Sequence, residues 1–223
     1  MNINRVFYWC GSKLVKAYTK IMLRMSVVSY LPIPRGPKII VANHPTTSDP
    51  FILTSVSNGQ AAVLIKDSLF NVPVFGRYLY WAGHVPVKKN GGGEAFEKAL
   101  SLLKNGVTII IFIEGDLSKF IHKIGKPKTG AVRLALLSGV TIITIGIGIK
   151  RGNIKTLKSV IKGVQEWGKW YLKGPYAITV GKPIKITGKI ENRTLVKGLS
   201  KWLSEKILKL QKESNVRINR ISF

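Results

Sequence analysis

His44 and Asp49 are the side chains of this sequence best suited to acid–base chemistry. They lie in the segment Asn-His-Pro-Thr-Thr-Ser-Asp-Pro, residues 43–50, which directly follows the apolar run 38–42. Histidine titrates near a pH of about 6.5, so it can take a proton from an attacking hydroxyl and later return it to a leaving group. A carboxylate on the other ring nitrogen fixes the tautomer and stabilises the imidazolium. The pair therefore predicts a general base, His44, oriented by Asp49.

The spacing of the pair restricts the backbone around it. Neighbours on one face of a helix lie three or four positions apart, so this pair requires a loop or the first turn of a helix. Pro45 and Pro50 favour such a geometry, because proline ends strands and is tolerated at the start of a helix. Asp49 is also a good N-cap residue, and this structural role is the alternative to catalysis.

Further charged and polar side chains follow other apolar runs. Ligand sites in open α/β sheets gather where parallel strands end. A carboxylate beside the isoleucine-rich run 107–113 costs desolvation energy unless it has a partner, so Glu114 points to an interior site. Solvated lysines and a loop-capping acidic cluster are the alternatives. The candidate binding residues at strand ends are Lys66, Lys88, Glu114, Gly115, Asp116 and Ser118.

Strand-like and helix-like patterns alternate along the chain. This alternation predicts a single α/β domain with a mostly parallel, buried sheet flanked by helices. The predicted strands are 26–31, 38–42, 61–65, 84–87, 107–113, 140–149 and 176–180. The predicted helices between and after them are 94–103, 131–137 and 195–210.

The composition indicates a folded protein with an acidic partner. A hydrophobic content of 45% excludes disorder despite a net charge of +26, and that charge favours nucleic acid, an anionic membrane or an acidic carrier protein. No apolar run approaches the roughly 20 residues of a membrane span. The single cysteine, Cys10, suits a reducing compartment, and no secretory signal is evident.

Two segments have basic and apolar residues at helical spacing. Residues 5–24 predict an amphipathic helix with Lys13, Lys16 and Lys20 on one face and Leu14 and Ile21 on another. Residues 154–173 predict a second such helix that ends in a cluster of aromatic side chains. Packing of either segment on its own domain would produce the same periodicity. We expect residues 1–25 to form a membrane-surface helix and residues 26–223 to form the α/β domain.

Taken in order, the motifs resemble the glycerolipid acyltransferase family, which includes bacterial 1-acylglycerol-3-phosphate acyltransferases. The resemblance covers residues 26–187, and His44 to Asp49 is similar to the family's His-x4-Asp block. The other similar segments, in chain order, are residues 66–76, 83–88, 112–115, 139–147 and 181–184. Two departures concern blocks that the family associates with the phosphate of the acceptor. Lys88 stands where arginine is usual, and Asp116 and Leu117 replace threonine and arginine.

The resemblance implies transfer of a fatty acyl group from acyl-CoA or acyl carrier protein to a lysophospholipid hydroxyl, with 1-acylglycerol-3-phosphate as the default acceptor. His44 would be the base and Asp49 its orienting acid, without a cofactor, a metal or a covalent acyl-enzyme. Lys66, Lys88, Glu114, Gly115, Asp116 and Ser118 would line the substrate site. The departures favour weaker dependence on the acceptor's phosphate, and a non-phosphate lysolipid is the alternative acceptor. The expected location is the cytoplasmic face of the cell membrane, with peripheral or monotopic attachment.

Alternatives from other classes remain open at this point. A nucleic-acid-binding protein would explain the charge, although no helix-turn-helix, RNA-recognition or zinc signature is present. A lipid-binding protein without catalysis would keep the fold and leave His44 unused. A zinc site formed by His44, His84 and His122 has no recognised ligand spacing to support it.

Overall fold

A seven-stranded sheet forms the centre of the protein. The structure, a computed structural model, describes residues 3–88, 92–119, 123–161 and 164–220. The strand order is β1-β9-β6-β2-β5-β3-β4, and every neighbouring pair is parallel except β6 and β9. The strands are β1 Ser26–Ser29, β2 Lys38–Ala42, β3 Ala61–Lys66, β4 Val85–Val87, β5 Thr108–Phe112, β6 Thr141–Ile149 and β9 Tyr176–Val180. The predicted mostly parallel α/β domain is confirmed.

Helices cover both faces of this sheet, because its central strands are apolar on both sides. Every residue of β2 is buried, as a strand between two helical layers requires. On one face lie α1 Ile3–Ile21, α2 Asp49–Thr54 and α3 Phe75–Trp81, and on the other lie α4 Gly92–Lys104, α5 Gly130–Ser138 and α6 Arg193–Ile218. Two short 3₁₀ helices, Asp67–Asn71 and Arg151–Asn153, follow β3 and β6.

The prediction of a helix over residues 154–173 is wrong. This segment forms an antiparallel hairpin of β7, Ile154–Ile161, and β8, Val164–Tyr171, which is separate from the central sheet. The segment is rich in β-branched and aromatic residues, which favour strands, and Gly168 is unfavourable inside a helix. Residues spaced by three, such as Leu157 and Val160, lie on opposite faces of a strand, so the apparent helical stripe is split between both faces of the hairpin.

The helix α6 lies unusually close to β6. A Cβ atom at Gly146 would overlap the backbone of Leu210 and Gln211, and one at Gly148 would lie 2.6 Å from the Ser214 carbonyl carbon. The alternating Ile-Gly-Ile-Gly-Ile sequence, residues 145–149, therefore buries isoleucines on one face of β6 and admits a helix backbone on the other. From the buried face of α6, Ser214 donates a hydrogen bond to the Gly146 carbonyl (2.8 Å).

The N-terminal helix packs through small and polar residues. Tyr8, Ser12 and Thr19 are buried, whereas Leu14 is 74% and Ile21 is 66% exposed. The expected amphipathic helix is thus present, but two of its large apolar residues have no partner in the described part of the domain. No helix among the described residues has the length and hydropathy of a bilayer span.

Candidate active site

The end of the central strand β2 holds the predicted histidine–aspartate pair. His44 follows β2 by two residues, and Asp49 is the first residue of α2. The Nδ1 atom of His44 lies 3.0 Å from Oδ2 of Asp49. Ser48 is the N-cap position of α2 and makes no side-chain capping bond, so Asp49 is not the N-cap. The first turn of α2 therefore directs the carboxylate back to the histidine.

Asp49 is fully buried, and neutral donors satisfy its carboxylate. Oδ2 accepts the Thr46 backbone N–H (2.7 Å), while Oδ1 accepts the Thr46 hydroxyl (2.6 Å) and the Tyr176 hydroxyl (2.9 Å). With Nδ1 of His44, these groups give each carboxylate oxygen two hydrogen-bond partners, and a carboxylate only accepts hydrogen bonds. Burial and the contact with Asp49 raise the pKa of Tyr176 well above its usual value, so this phenol stays a donor.

The backbone and ring of His44 are held independently of Asp49. The ring stacks on Phe112, the last residue of β5, with centroids 3.7 Å apart. The side chain of the preceding residue, Asn43, exchanges two hydrogen bonds with the backbone of Ile147 in β6 (2.7 and 3.0 Å). These contacts fix His44 between β5 and β6, the two strands that flank β2.

The loop after β5 braces the histidine from the other side. The Ser118 backbone N–H donates to the His44 carbonyl (2.7 Å), and the Ser118 hydroxyl accepts the His44 N–H (3.3 Å). The same hydroxyl donates to Glu114, whose second carboxylate oxygen accepts the Gly125 N–H (2.8 Å). Gly115 provides the turn between them with a φ of +70°, a conformation that favours glycine. Glu114 thus organises this loop.

The β7–β8 hairpin is bound to the loop that carries His44 through the outer edge of β8. Thr47 donates its N–H to the Lys169 carbonyl (2.7 Å) and accepts the Lys169 N–H on its hydroxyl (3.1 Å). The Tyr171 N–H donates to the Ser48 hydroxyl (3.1 Å). The hairpin therefore forms one wall of the site.

This arrangement can perform general base catalysis. Because the charged carboxylate of Asp49 only accepts hydrogen bonds, Nδ1 of His44 carries the ring proton and Nε2 has a lone pair for a proton from substrate. The His44 side chain is 14% exposed, which leaves access for a hydroxyl while most of the ring stays in a protein environment.

Comparison with known protein families decides the family of this chain. The sequence model of the family described as Acyltransferase matches residues 24–148, which is more than half of the chain. The chain belongs to the acyltransferase family.

The fold of this acyltransferase is also similar to a solved structure. That structure is the crystal structure of the 1-acyl-sn-glycerophosphate (LPA) acyltransferase, PlsC, from Thermotoga maritima. The two chains are 22% identical with a TM-score of 0.66, and the match covers 94% of this chain and 78% of the other. At this identity the likeness shows the shared fold. No curated protein sequence matches the chain significantly.

Both lysines predicted to bind substrate are paired with glutamates in the acyltransferase. Lys66 ends β3, and its Nζ lies 2.6 and 2.7 Å from the two carboxylate oxygens of Glu166 in β8. These bonds lower the pKa of Glu166. The Nζ atom of Lys88 lies 2.9 Å from Oε2 of Glu94 in α4, and both side chains are well exposed.

Some of the predicted site residues are linked to His44 by hydrogen bonds, and others are not. The structure brings His44, Asp49, Ser118 and Glu114 into one hydrogen-bonded unit, with Gly115 in its loop. Asp116 is exposed and accepts the Leu117 N–H (2.8 Å). Within the described part of the chain, neither Asp116 nor Lys88 makes a hydrogen bond or ion pair with His44 or Asp49.

The histidines do not form a zinc site among the described residues. His84 is buried in the core, where its Nδ1 accepts the Val63 N–H (3.2 Å). Burial lowers the pKa of His84 to about 4, so it stays neutral near pH 7. His122 lies outside the described residues. Elsewhere, the described chain holds no group of three or more His, Cys, Asp or Glu residues suited to a metal.

Sequence reasoning missed several residues that shape the site, notably Tyr176 and Lys169. Tyr176 reaches Asp49 because β9 runs antiparallel to β6, which places the first residue of β9 at the edge where β6 ends. In a fully parallel sheet this tyrosine would lie at the opposite edge. The separation of 127 residues from Asp49 leaves no local sequence signal.

A pocket of about 420 Å³ lies elsewhere, beside Tyr30, Thr144, Gly181 and α6. Gly181 follows β9, which runs antiparallel to β6, so the pocket lies at the sheet edge where β2 and β6 begin. His44 lies at the edge where they end. The pocket is therefore distinct from the site of the His44–Asp49 pair.

Proposed function

We propose that this acyltransferase moves a fatty acyl group from acyl-CoA or acyl carrier protein to the free hydroxyl of a lysophospholipid, with 1-acylglycerol-3-phosphate as the default acceptor. The observation that carries the proposal is the His44–Asp49 pair, whose Nε2 is available at the end of the central strand. The family membership and the PlsC-like fold support the reaction class.

The reaction requires a single base. His44 Nε2 takes the proton of the acceptor hydroxyl as its oxygen attacks the thioester carbonyl. The tetrahedral oxyanion then collapses, the carbon–sulfur bond breaks, and the leaving thiolate takes the proton from His44. Asp49 stabilises the imidazolium between these steps. The products are the doubly acylated lipid and the free thiol of the carrier.

We also propose that the protein works at an anionic membrane surface, on the cytoplasmic face. The support is the exposed apolar surface of α1, with Leu14 and Ile21, beside basic residues such as Lys13 and Lys20. The helix packs on α3, which exposes Tyr80 and Trp81 as well. Apolar side chains among lysines are typical of helices that bind anionic leaflets. The hairpin adds exposed apolar side chains at Trp167 and Val160.

Replacement of His44 tests the proposed mechanism. We expect His44→Ala to lower kcat for acyl transfer by about 10² to 10⁴, the usual contribution of a general base. The assay follows thiol release from acyl-CoA and from acyl carrier protein in the presence of lysophosphatidic acid. Cys10→Ser is the control, because Cys10 is the one thiol of the chain and is exposed on α1. It should keep full activity, since no acyl-enzyme forms.

Two outcomes would contradict the proposal. Unchanged transfer by the His44→Ala variant would exclude the general-base mechanism. Binding of lipid vesicles by the wild type without acyl transfer from either donor would instead identify a lipid-binding protein without catalysis.

A further inference from the structure

The lysines near the site differ in whether they form an ion pair with a carboxylate. Lys66 ends β3 and Lys88 follows β4, and the Nζ atom of each lies within 2.9 Å of a glutamate oxygen. In these pairs a carboxylate compensates the charge of the lysine, and Lys66 donates two hydrogen bonds to its glutamate while Lys88 donates one. Neither is therefore well placed to receive a second anion without first losing its partner.

Lys169 of β8 is a cation at the site without such a partner. Its Nζ donates to the Ser118 carbonyl at 3.3 Å, and in the described part of the chain no Asp or Glu lies within ion-pair distance of it. Two hydrogen bonds to Thr47 fix its backbone. Lys169 as a whole residue is half-buried.

Two hydrogen bonds, both made by the backbone of Ser118, connect the Lys169 ammonium to the backbone of the proposed base. Ser118, whose carbonyl accepts the Lys169 bond, donates its own N–H to the His44 carbonyl at 2.7 Å. Lys169 is thus next to the loop that holds His44. An ammonium has three donors, and the neutral carbonyl occupies one of them, which leaves two for an anion.

The proposed acceptor carries its anion close to its reacting atom. In a 1-acylglycerol 3-phosphate, the hydroxyl that receives the acyl group and the phosphate ester oxygen are on adjacent carbons. A hydroxyl bound at His44 therefore brings the phosphate within a few ångströms of the base. A lysine beside the histidine loop is placed to meet it, and charge-assisted bonds to phosphate are among the stronger hydrogen bonds.

We infer that Lys169 binds the phosphate of the acceptor lipid and sets the preference of the enzyme for phosphorylated acceptors. This inference rests on the proposed function and deepens it. The β7–β8 hairpin, through Lys169, is then a part of the acceptor site that the predicted lysines do not supply.

The test compares two charge-removing variants of the same hairpin. Lys169→Gln removes the ammonium at the site. Lys155→Gln removes an exposed ammonium from the opposite face of the hairpin. Lys169 lies opposite Thr156 in the hairpin, and Lys155 is the neighbour of Thr156 in β7, so the two lysines are on different faces. Both variants lower the net charge equally. The bonds to Thr47 come from the Lys169 backbone, so the glutamine variant keeps them. Lys169→Arg keeps the charge.

With saturating acyl-CoA, KM and kcat are measured for lysophosphatidic acid and for a monoacylglycerol. We expect Lys169→Gln to raise the KM for lysophosphatidic acid about tenfold or more, with little effect on the monoacylglycerol. Lys155→Gln should match the wild type, and Lys169→Arg should recover most of the loss. An unchanged ratio between the two acceptors, or an equal loss of kcat for both, would overturn the inference.

A binding measurement separates this inference from the proposed reaction. Hexadecyl phosphate has no hydroxyl to acylate, and calorimetry can follow its binding without turnover. We expect weaker binding by Lys169→Gln and wild-type binding by Lys155→Gln. Equal binding by the two variants would refute the role of Lys169 even in an active enzyme. A selective loss would support the anion site even if the wild type transferred no acyl group.

Discussion

At the scale of one residue, Asp49 is a buried carboxylate whose hydrogen bonds replace its contacts with water. A buried carboxylate is costly unless hydrogen bonds replace its water, and here Thr46, Tyr176 and His44 replace it completely. Each bond also fixes the direction of the carboxylate. The aspartate therefore presents one oxygen to His44 in a single orientation.

His84 leads to a prediction about pH and stability. Its pKa is about 4 in the folded protein because of burial, against about 6.5 in an unfolded chain. Above pH 6.5 it is neutral in both states and has no effect. As the pH falls from 6.5 to 4, only the unfolded chain takes up the proton, so the folded state loses stability. We expect this residue to lower the free energy of unfolding by about 3 kcal/mol over that interval.

Urea unfolding of the wild type and of His84→Gln at several pH values measures this effect. The variant should show the shallower loss of stability between pH 6.5 and 4, whatever its stability at pH 7. Parallel pH profiles would contradict the assignment of the slope to His84.

At the scale of elements, the contact between α6 and β6 depends on the absence of side chains at two positions. A Cβ at Gly146 would meet backbone atoms of α6, which cannot rotate away as a side chain can. We expect Gly146→Ala to destabilise the protein by about 2 kcal/mol or more, because the helix must shift from the sheet. The measurement is the midpoint of thermal or urea unfolding.

Gly198 of the same helix provides the matched control. A Cβ at Gly198 would meet no atom within 4 Å, and alanine is favoured over glycine in a helix by up to about 1 kcal/mol. Gly198→Ala should therefore be neutral or stabilising. A similar loss of stability in both variants would show that helix packing, as described, is not the cause.

The elements differ in how far the sequence could predict them. Runs such as 38–42 and 107–113 gave the correct strands, because a parallel strand covered on both faces must be apolar throughout. The hairpin was missed, since its lysines and apolar residues are spaced by three and imitate a helix. The strand β8 is stabilised by its hydrogen bonds to Thr47 and Ser48. These contacts are distant in sequence, so no local pattern predicts them.

The residues of the candidate site also differ in how far the sequence could predict them. His44, Asp49, Glu114 and Ser118 could be nominated because they follow strand-forming runs and meet at one sheet edge. The pairing of Lys66 with Glu166, and the bonds of Lys169 to Thr47 and of Tyr176 to Asp49, join residues that are 100, 122 and 127 positions apart. Such contacts follow from the direction of β9 and the docking of the hairpin.

At the scale of the whole molecule, the apolar face of α1 and the net charge act together. We expect the protein to bind phosphatidylglycerol vesicles more tightly than phosphatidylcholine vesicles, with a loss of binding as salt rises, because counterions screen surface charge. The double variant Leu14→Gln, Ile21→Gln should reduce vesicle binding about tenfold or more through lost apolar contact. Vesicle sedimentation measures the bound fraction.

The control for this experiment lies on the opposite face of the sheet. Leu137 of α5 and Val216 of α6 are 47% and 54% exposed, and the double variant Leu137→Gln, Val216→Gln makes the same chemical change there. It should bind vesicles as the wild type does. Equal losses for both double variants would show that the membrane surface is not the face that carries α1.

The bond from Tyr176 to Asp49 also determines when the site can exist during synthesis. The two residues are 127 positions apart, so His44 and Asp49 leave the ribosome long before the tyrosine that completes their setting. Contacts of such separation form late, because a long loop must close first. The nascent chain therefore carries His44 and Asp49 before the Tyr176 bond can form, and the proposed active site is complete only when β9 enters the sheet.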